Sequence, residues 1–109
     1  MKPIPKQILI HSAELMTVAQ DNWQNETTKV VADLKHIRIE DAKTRTSDKD
    51  NRQNALSAVL FFDCHNSRPR GTVFAVDQRI RFGTDLYRIG KIRTIYDNRT
   101  VHHYELELE

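Results

Sequence analysis

The chain has 109 residues, 39% hydrophobic and 29% charged, with 17 Lys and Arg against 15 Asp and Glu for a formal net charge of +2. That is enough apolar material for one modest core, so a single domain is expected over residues 1–109. No apolar run approaches the roughly 18 residues of a membrane span, Ile8-Leu9-Ile10 is too short for the apolar stretch of a secretory signal, and a lone cysteine, Cys64, leaves no internal disulfide. A soluble chain made in a reducing cytoplasm, with no membrane partner, is the expectation.

Met1 to Lys6 is held extended by Pro3 and Pro5. Gln7 to Val18 reads as a first strand, but neither of its faces is uniformly apolar, which predicts a bulge or bend near Ser12–Glu14. Gln20 to Glu26 is polar apart from Trp23 and reads as a hairpin connection, with Trp23 expected to fold back as a lid on the core. Thr27 to Glu40 is the second strand. Its apolar parity moves from Val30, Ala32 and Leu34 to Ile37 and Ile39, a slip of the kind that a bulge produces. The β-branched residues Thr27, Thr28, Val30 and Val31 argue against helix here.

From Asp41 to Asn54 the only apolar side chain is Ala42. A connection of that length without periodicity predicts a long inserted loop, over about residues 41–55, that a partner orders. Leu56 to Cys64 is the best candidate for a buried strand, because Val59-Leu60-Phe61-Phe62 has no wet side. His65 to Gly71 reads as a loop and Val73 to Val76 as a short extended piece. The last third alternates with period two around Ile80-Arg81-Phe82, Leu86 to Tyr96 and Val101 to Glu109, cut by turn residues at Gly83-Thr84-Asp85 and Asp97-Asn98-Arg99. The pattern predicts an all-β chain: a small antiparallel β-barrel of about six strands with one long insertion.

Charge is distributed unevenly. Arg68, Arg70, Arg79, Arg81, Arg88, Lys91, Arg93 and Arg99 face only Asp77, Asp85 and Asp97, and Glu105, Glu107 and Glu109 follow as an acidic edge. Such asymmetry can steer a polyanion or dock a complementary copy of the same chain; a solvated face with ordinary cross-strand ion pairs is the plainer reading. Arg79, Arg81, Arg88, Arg93, Glu105 and Glu107 are therefore the candidate subunit-interface charges. In the long loop, Lys43, Arg45, Lys49 and Arg52 are mixed with Asp41, Asp48 and Asp50, a near balance that fits loop–loop contacts or a gate better than tight phosphate binding.

No segment nominates an active site, and no cofactor is expected. Cys64 and His65 are neighbours in an extended stretch and so point apart, as do His102 and His103. His11 and His36 lie on neighbouring strands, but a metal site there needs a register that the sequence does not give. Asp48 and Asp50 lack the glycine and terminal glutamate of a calcium loop, and Gly71, Gly83 and Gly90 form no phosphate-binding pattern.

The segments taken together carry a likeness. Lys2-Pro3-Ile4-Pro5 followed by Leu9 to Ala13, then His36 to Glu40, the Leu60 to Pro69 block, and His102 to Leu108 resemble, in order and spacing, the small minor capsid proteins of tailed phages and prophages of Gram-positive bacteria. The resemblance implies a virion component of the head–tail connector or neck, similar to head-completion and stopper proteins, which are small β-barrels assembled as rings. It implies as partners other copies of the chain, portal or adaptor and tail-terminator proteins, and DNA passing through the bore, with assembly in the host cytoplasm. It carries no catalytic residues. The competing reading is a small OB-like nucleic-acid-binding barrel that uses Phe82, Tyr87 and Tyr96 among the arginines as a stacking platform.

Overall fold

The computed structural model describes residues 1–42 and 56–109. Six strands, β1 (His11–Gln20), β2 (Glu26–Asp41), β3 (Ala58–Asp63), β4 (Arg79–Phe82), β5 (Asp85–Asp97) and β6 (Thr100–Leu108), close into a barrel in the order β1-β2-β3-β6-β5-β4, every pairing antiparallel. The all-β barrel expected from the alternation is the architecture observed. Among the described residues no helix is long and apolar enough to cross a membrane.

Alternation places the core. Leu15, Leu34, Ile37, Leu60, Phe62, Ile80, Ile89, Leu106 and Leu108 fill the barrel from all six strands, with Phe74, Phe82, Tyr87, Ile92 and Tyr104 packed around them. Phe74 meets Phe62 and Tyr104 edge-on, with ring centroids 5.2 and 5.7 Å apart, the arrangement that the ring quadrupole favours.

Register breaks supply the curvature that lets so few strands close. Between the His11–Ile37 and Ala13–Leu34 rungs, and again between Leu15–Ala32 and Met16–Val30, β2 carries one residue more than β1. The irregularity expected near Ser12–Glu14 is there, but the extra residue belongs to the facing strand, at Lys35–His36, where His36 adopts a φ of 55°. Gly90 on β5 and His102 on β6 are the extra residues of two further breaks.

Several boundaries differ from expectation. β1 begins at His11, not Gln7, because Lys6–Ile8 forms a single 3₁₀ turn after Pro5. Asp41 closes β2, and Ala42 is buried with its N–H bonded to the Ser57 carbonyl; residues 43–55 of the loop expected over about 41–55 lie outside the described residues. Residues Val73–Val76 pair with no strand; Phe74 alone among them turns inward.

Trp23 is no lid. It is 84% exposed, because the β1–β2 ladder runs on past the last β1–β4 rung, Met16–Arg79, and carries its turn away from the core. Asp21 fixes that turn: its carboxylate accepts the N–H groups of Trp23 and Asn25 at 2.8 and 2.9 Å, an Asx arrangement that needs no help from the core.

Candidate functional surface

Three parts of the exterior are built with more precision than folding alone requires: a strap, a charged wall and an arm. The strap is the N-terminal segment. Its amino group meets Asp97 at 2.7 Å, the Lys2 carbonyl meets His102 Nε2 at 2.5 Å, the Ile4 N–H donates to Asp63, and the Ile8 carbonyl accepts from Arg38 at 3.2 Å. It therefore wraps the outside of the barrel across β6, β3 and β2 before entering β1.

Asp63 is the knot of that strap. The carboxylate is wholly buried and accepts three backbone N–H groups, from Ile4 and His65 at 3.1 Å and from Asn66 at 2.8 Å. Asn66 returns the favour by donating its amide to the Ile4 carbonyl at 2.8 Å. Ser67, equally buried, accepts the Asp63 N–H at 2.9 Å and donates to the His36 carbonyl on the β2 bulge. A buried carboxylate satisfied this fully is stable in place, whereas an unsatisfied one is costly. Sequence reading treated Asp63 to Ser67 as a strand end and a loop; an Asp followed by Asn and Ser at three and four residues is the Asx-type signal that identifies the knot.

His102 and His103 do not diverge. The bulge at His102 puts both rings on one side, with Nδ1 atoms 2.7 Å apart, and His103 Nε2 lies 2.9 Å from Glu105. Among the described residues no group of three or more His, Cys, Asp or Glu is placed to hold a metal ion. His11 is a structural acceptor: its Nδ1 takes the Ile39 N–H at 3.0 Å while its ring packs edge-on against Phe82. Burial, and then the charge of Asp63, push the Cys64 thiol up, away from the thiolate that nucleophilic chemistry uses.

The candidate interface charges divide into two groups. On β4 and the start of β5, Arg79 donates to Glu26 at 3.1 Å, Arg81 reaches Glu14 with two nitrogens at 2.8 and 2.6 Å, and Arg88 spans Asp77 and Glu109. On the opposite wall β6 lies between β3 and β5, so Glu105 and Glu107 stand inside a continuous sheet and not on an edge. There Arg38, Phe61, Glu105 and Arg93 form one cross-strand row, and Glu40, Val59, Glu107 and Lys91 form the next. Acid and base thus sit side by side, the favourable cross-strand arrangement, instead of on separate faces. The loop candidates Lys43, Arg45, Asp48, Lys49, Asp50 and Arg52 lie outside the described residues.

The aromatic residues of the nucleic-acid reading do not gather. Phe82 and Tyr87 pack against the core, and Tyr96 is exposed alone near the end of β5. A platform that stacks successive bases needs neighbouring exposed rings on one face. That reading gains no support.

A family model described as minor capsid protein matches residues 5–108 of the chain. No curated protein and no solved structure matches it.

Proposed function

We propose, from the premise that this chain belongs to the minor capsid protein family, that it is the head–tail connector subunit of a tailed phage or prophage, forming a ring that joins the DNA-filled head to the tail. The family is a structural one, and membership makes the chain a component of the virion. The carrying observation is the extent of the match, which at residues 5–108 takes in every strand of the barrel.

The geometry supports a brick more than a catalyst. A closed barrel leaves no open sheet edge around its girth, so contacts between copies must use side chains, loops or segments that leave the barrel. A ring requires heterologous contacts, in which one patch of each copy meets a different patch of the next. The arginines of β4 and β5, the paired rows on β6 and the hairpin between β1 and β2 give this small body several unlike surfaces. Its partners in this reading are further copies of itself, the portal or adaptor above and the tail terminator below, with DNA passing through the bore and assembly in the host cytoplasm.

Deleting the gene tests the role. Electron microscopy of the resulting lysate is expected to show filled or emptied heads separated from tails. Intact, DNA-filled, tailed particles in the deletion strain would overturn it.

A further inference from the structure

The arm is the part of the described surface that the barrel does not need. Beyond Met16–Val30, residues Thr17, Val18, Ala19 and Gln20 pair with Lys29, Thr28, Thr27 and Glu26, while β4 leaves β1 at Met16 and β3 joins β2 only from Arg38. A two-stranded ribbon of about 14 Å therefore projects, at ~3.4 Å per residue. Every residue from Ala19 to Val31 is exposed. Two-stranded hairpins are marginal in water on their own. In this one Arg79, opposite Met16 at the root, reaches Glu26 on the last rung, and Asp21 locks the tip. What the locked tip presents is the indole of Trp23.

The same end of the barrel carries a matching hollow of about 290 Å³. The β2–β3 and β3–β6 registers put the Asp63 end of β3 and the start of β6 on the side from which the arm leaves. Phe62 and Tyr104, two members of the edge-to-face aromatic cluster, form its floor, and Val73, 81% exposed, stands at its rim. Arg70 and Arg99, next in the chain to the lining residues Gly71 and Thr100, are both exposed there. From Gln20 to Thr28 the charged residues are Asp21 and Glu26; Glu26 already meets Arg79, so Asp21 makes the arm tip acidic. An indole beside acid fits an aromatic floor beside base.

We propose that the arm of one copy docks on the hollow of the next, with Trp23 as the anchor. The inference rests on the ring reading above and deepens it by naming the contact. The two patches are different, so the contact is heterologous. Both lie at the same end of the barrel, and copies related by a pure rotation can join one to the other. That closes a ring where a climbing contact would give a filament.

The chain contains a single tryptophan, so its fluorescence reads the arm alone. The full-length protein is titrated to its solubility limit while mass is followed by light scattering and emission is recorded in parallel. Mass is expected to rise as emission moves to shorter wavelengths, and Trp23→Ala to weaken association roughly thirtyfold, the effect of truncating an interface hot spot. The double swap Arg70→Glu with Arg99→Glu is expected to weaken it as well, with circular dichroism and the melting temperature unchanged in both variants. Assembly with unshifted emission, or with undiminished strength in Trp23→Ala, overturns the arm and leaves the ring reading standing. Undiminished assembly in the arginine swap overturns the hollow as receptor. A strict monomer at every concentration overturns the contact altogether, while the deletion phenotype still decides the connector role separately.

Discussion

Ile4 and Asp63, far apart in sequence, are joined by a hydrogen bond of 3.1 Å from the Ile4 N–H to the Asp63 carboxylate. With His65 and Asn66 donating to the other oxygen, one buried side chain closes a turn and holds down the strap. Asp63→Ala strands three donors, and leaving a buried donor unmade costs about 1–3 kcal/mol. The three donors are themselves only partly buried, so a loss of about 3 kcal/mol is expected. Asp63→Asn keeps an acceptor and should fall between. Urea unfolding measures the loss, and amide exchange at Ile4 should accelerate in step; an unmoved midpoint would contradict the role assigned to the knot.

His11 makes stability depend on pH. Burial first, and the nearby Arg38 guanidinium second, push it below its ordinary value of 6.5. In the folded chain its Nδ1 accepts the Ile39 N–H, which a protonated ring cannot do. The unfolded chain therefore takes up this proton first as pH falls. The contribution is fully present above the ordinary value and is lost as pH drops through the window below it. Unfolding midpoints at about pH 7.5 and about pH 5.5 should differ more in the wild type than in His11→Gln, which keeps an acceptor without titrating. Equal differences in the two proteins would remove the assignment.

The barrel was legible because alternation is a local property. Ile80, Ile89, Leu106 and Leu108 each announce the inward face of a strand whatever its partner. What local patterns do not encode is how far a ladder runs beyond its neighbours. Trp23 looked like core because it is large and apolar, and only the β1–β4 register shows that the sheet has ended before the turn is reached. The histidine pair was missed for a related reason. Adjacent strand residues diverge unless a bulge intervenes, and the bulge at His102 shows only in its register against β5. The charge run from Arg79 to Arg93 was visible as composition, whereas the partners of those arginines, Glu26, Glu14 and Glu109, come from elsewhere in the chain. The knot at Asp63 was half legible: its Asx turn is local, but the strap it binds is not.

Cys64 should be a sluggish thiol. Its environment pushes it up, by burial first and by the charge of Asp63 second, and the reactive species is the thiolate. Labelling with a disulfide reagent near neutral pH is expected to be slower than that of a small free thiol, and to reach one equivalent rapidly once the chain is unfolded. Native labelling as fast as the small thiol would show an activated cysteine and reopen a chemical role for the site.

Arg81 and Glu14 face each other on the β1–β4 ladder, where two guanidinium nitrogens converge on a single carboxylate oxygen. Both side chains are well exposed, so solvent and salt screen the pair, and a double-mutant cycle with Arg81→Ala and Glu14→Ala should give a coupling of about 0.5 kcal/mol. The reversed pair, Glu14→Arg with Arg81→Glu, keeps the attraction and should leave the melting temperature close to wild type. It nevertheless inverts the charge pattern that a neighbouring copy meets. If Arg81 is an interface charge, as the ring reading holds, the reversed protein should associate more weakly than wild type at low ionic strength, and the two should converge as salt is raised and the field is screened. Equal association at low salt would confine Arg81 to holding β1 against β4.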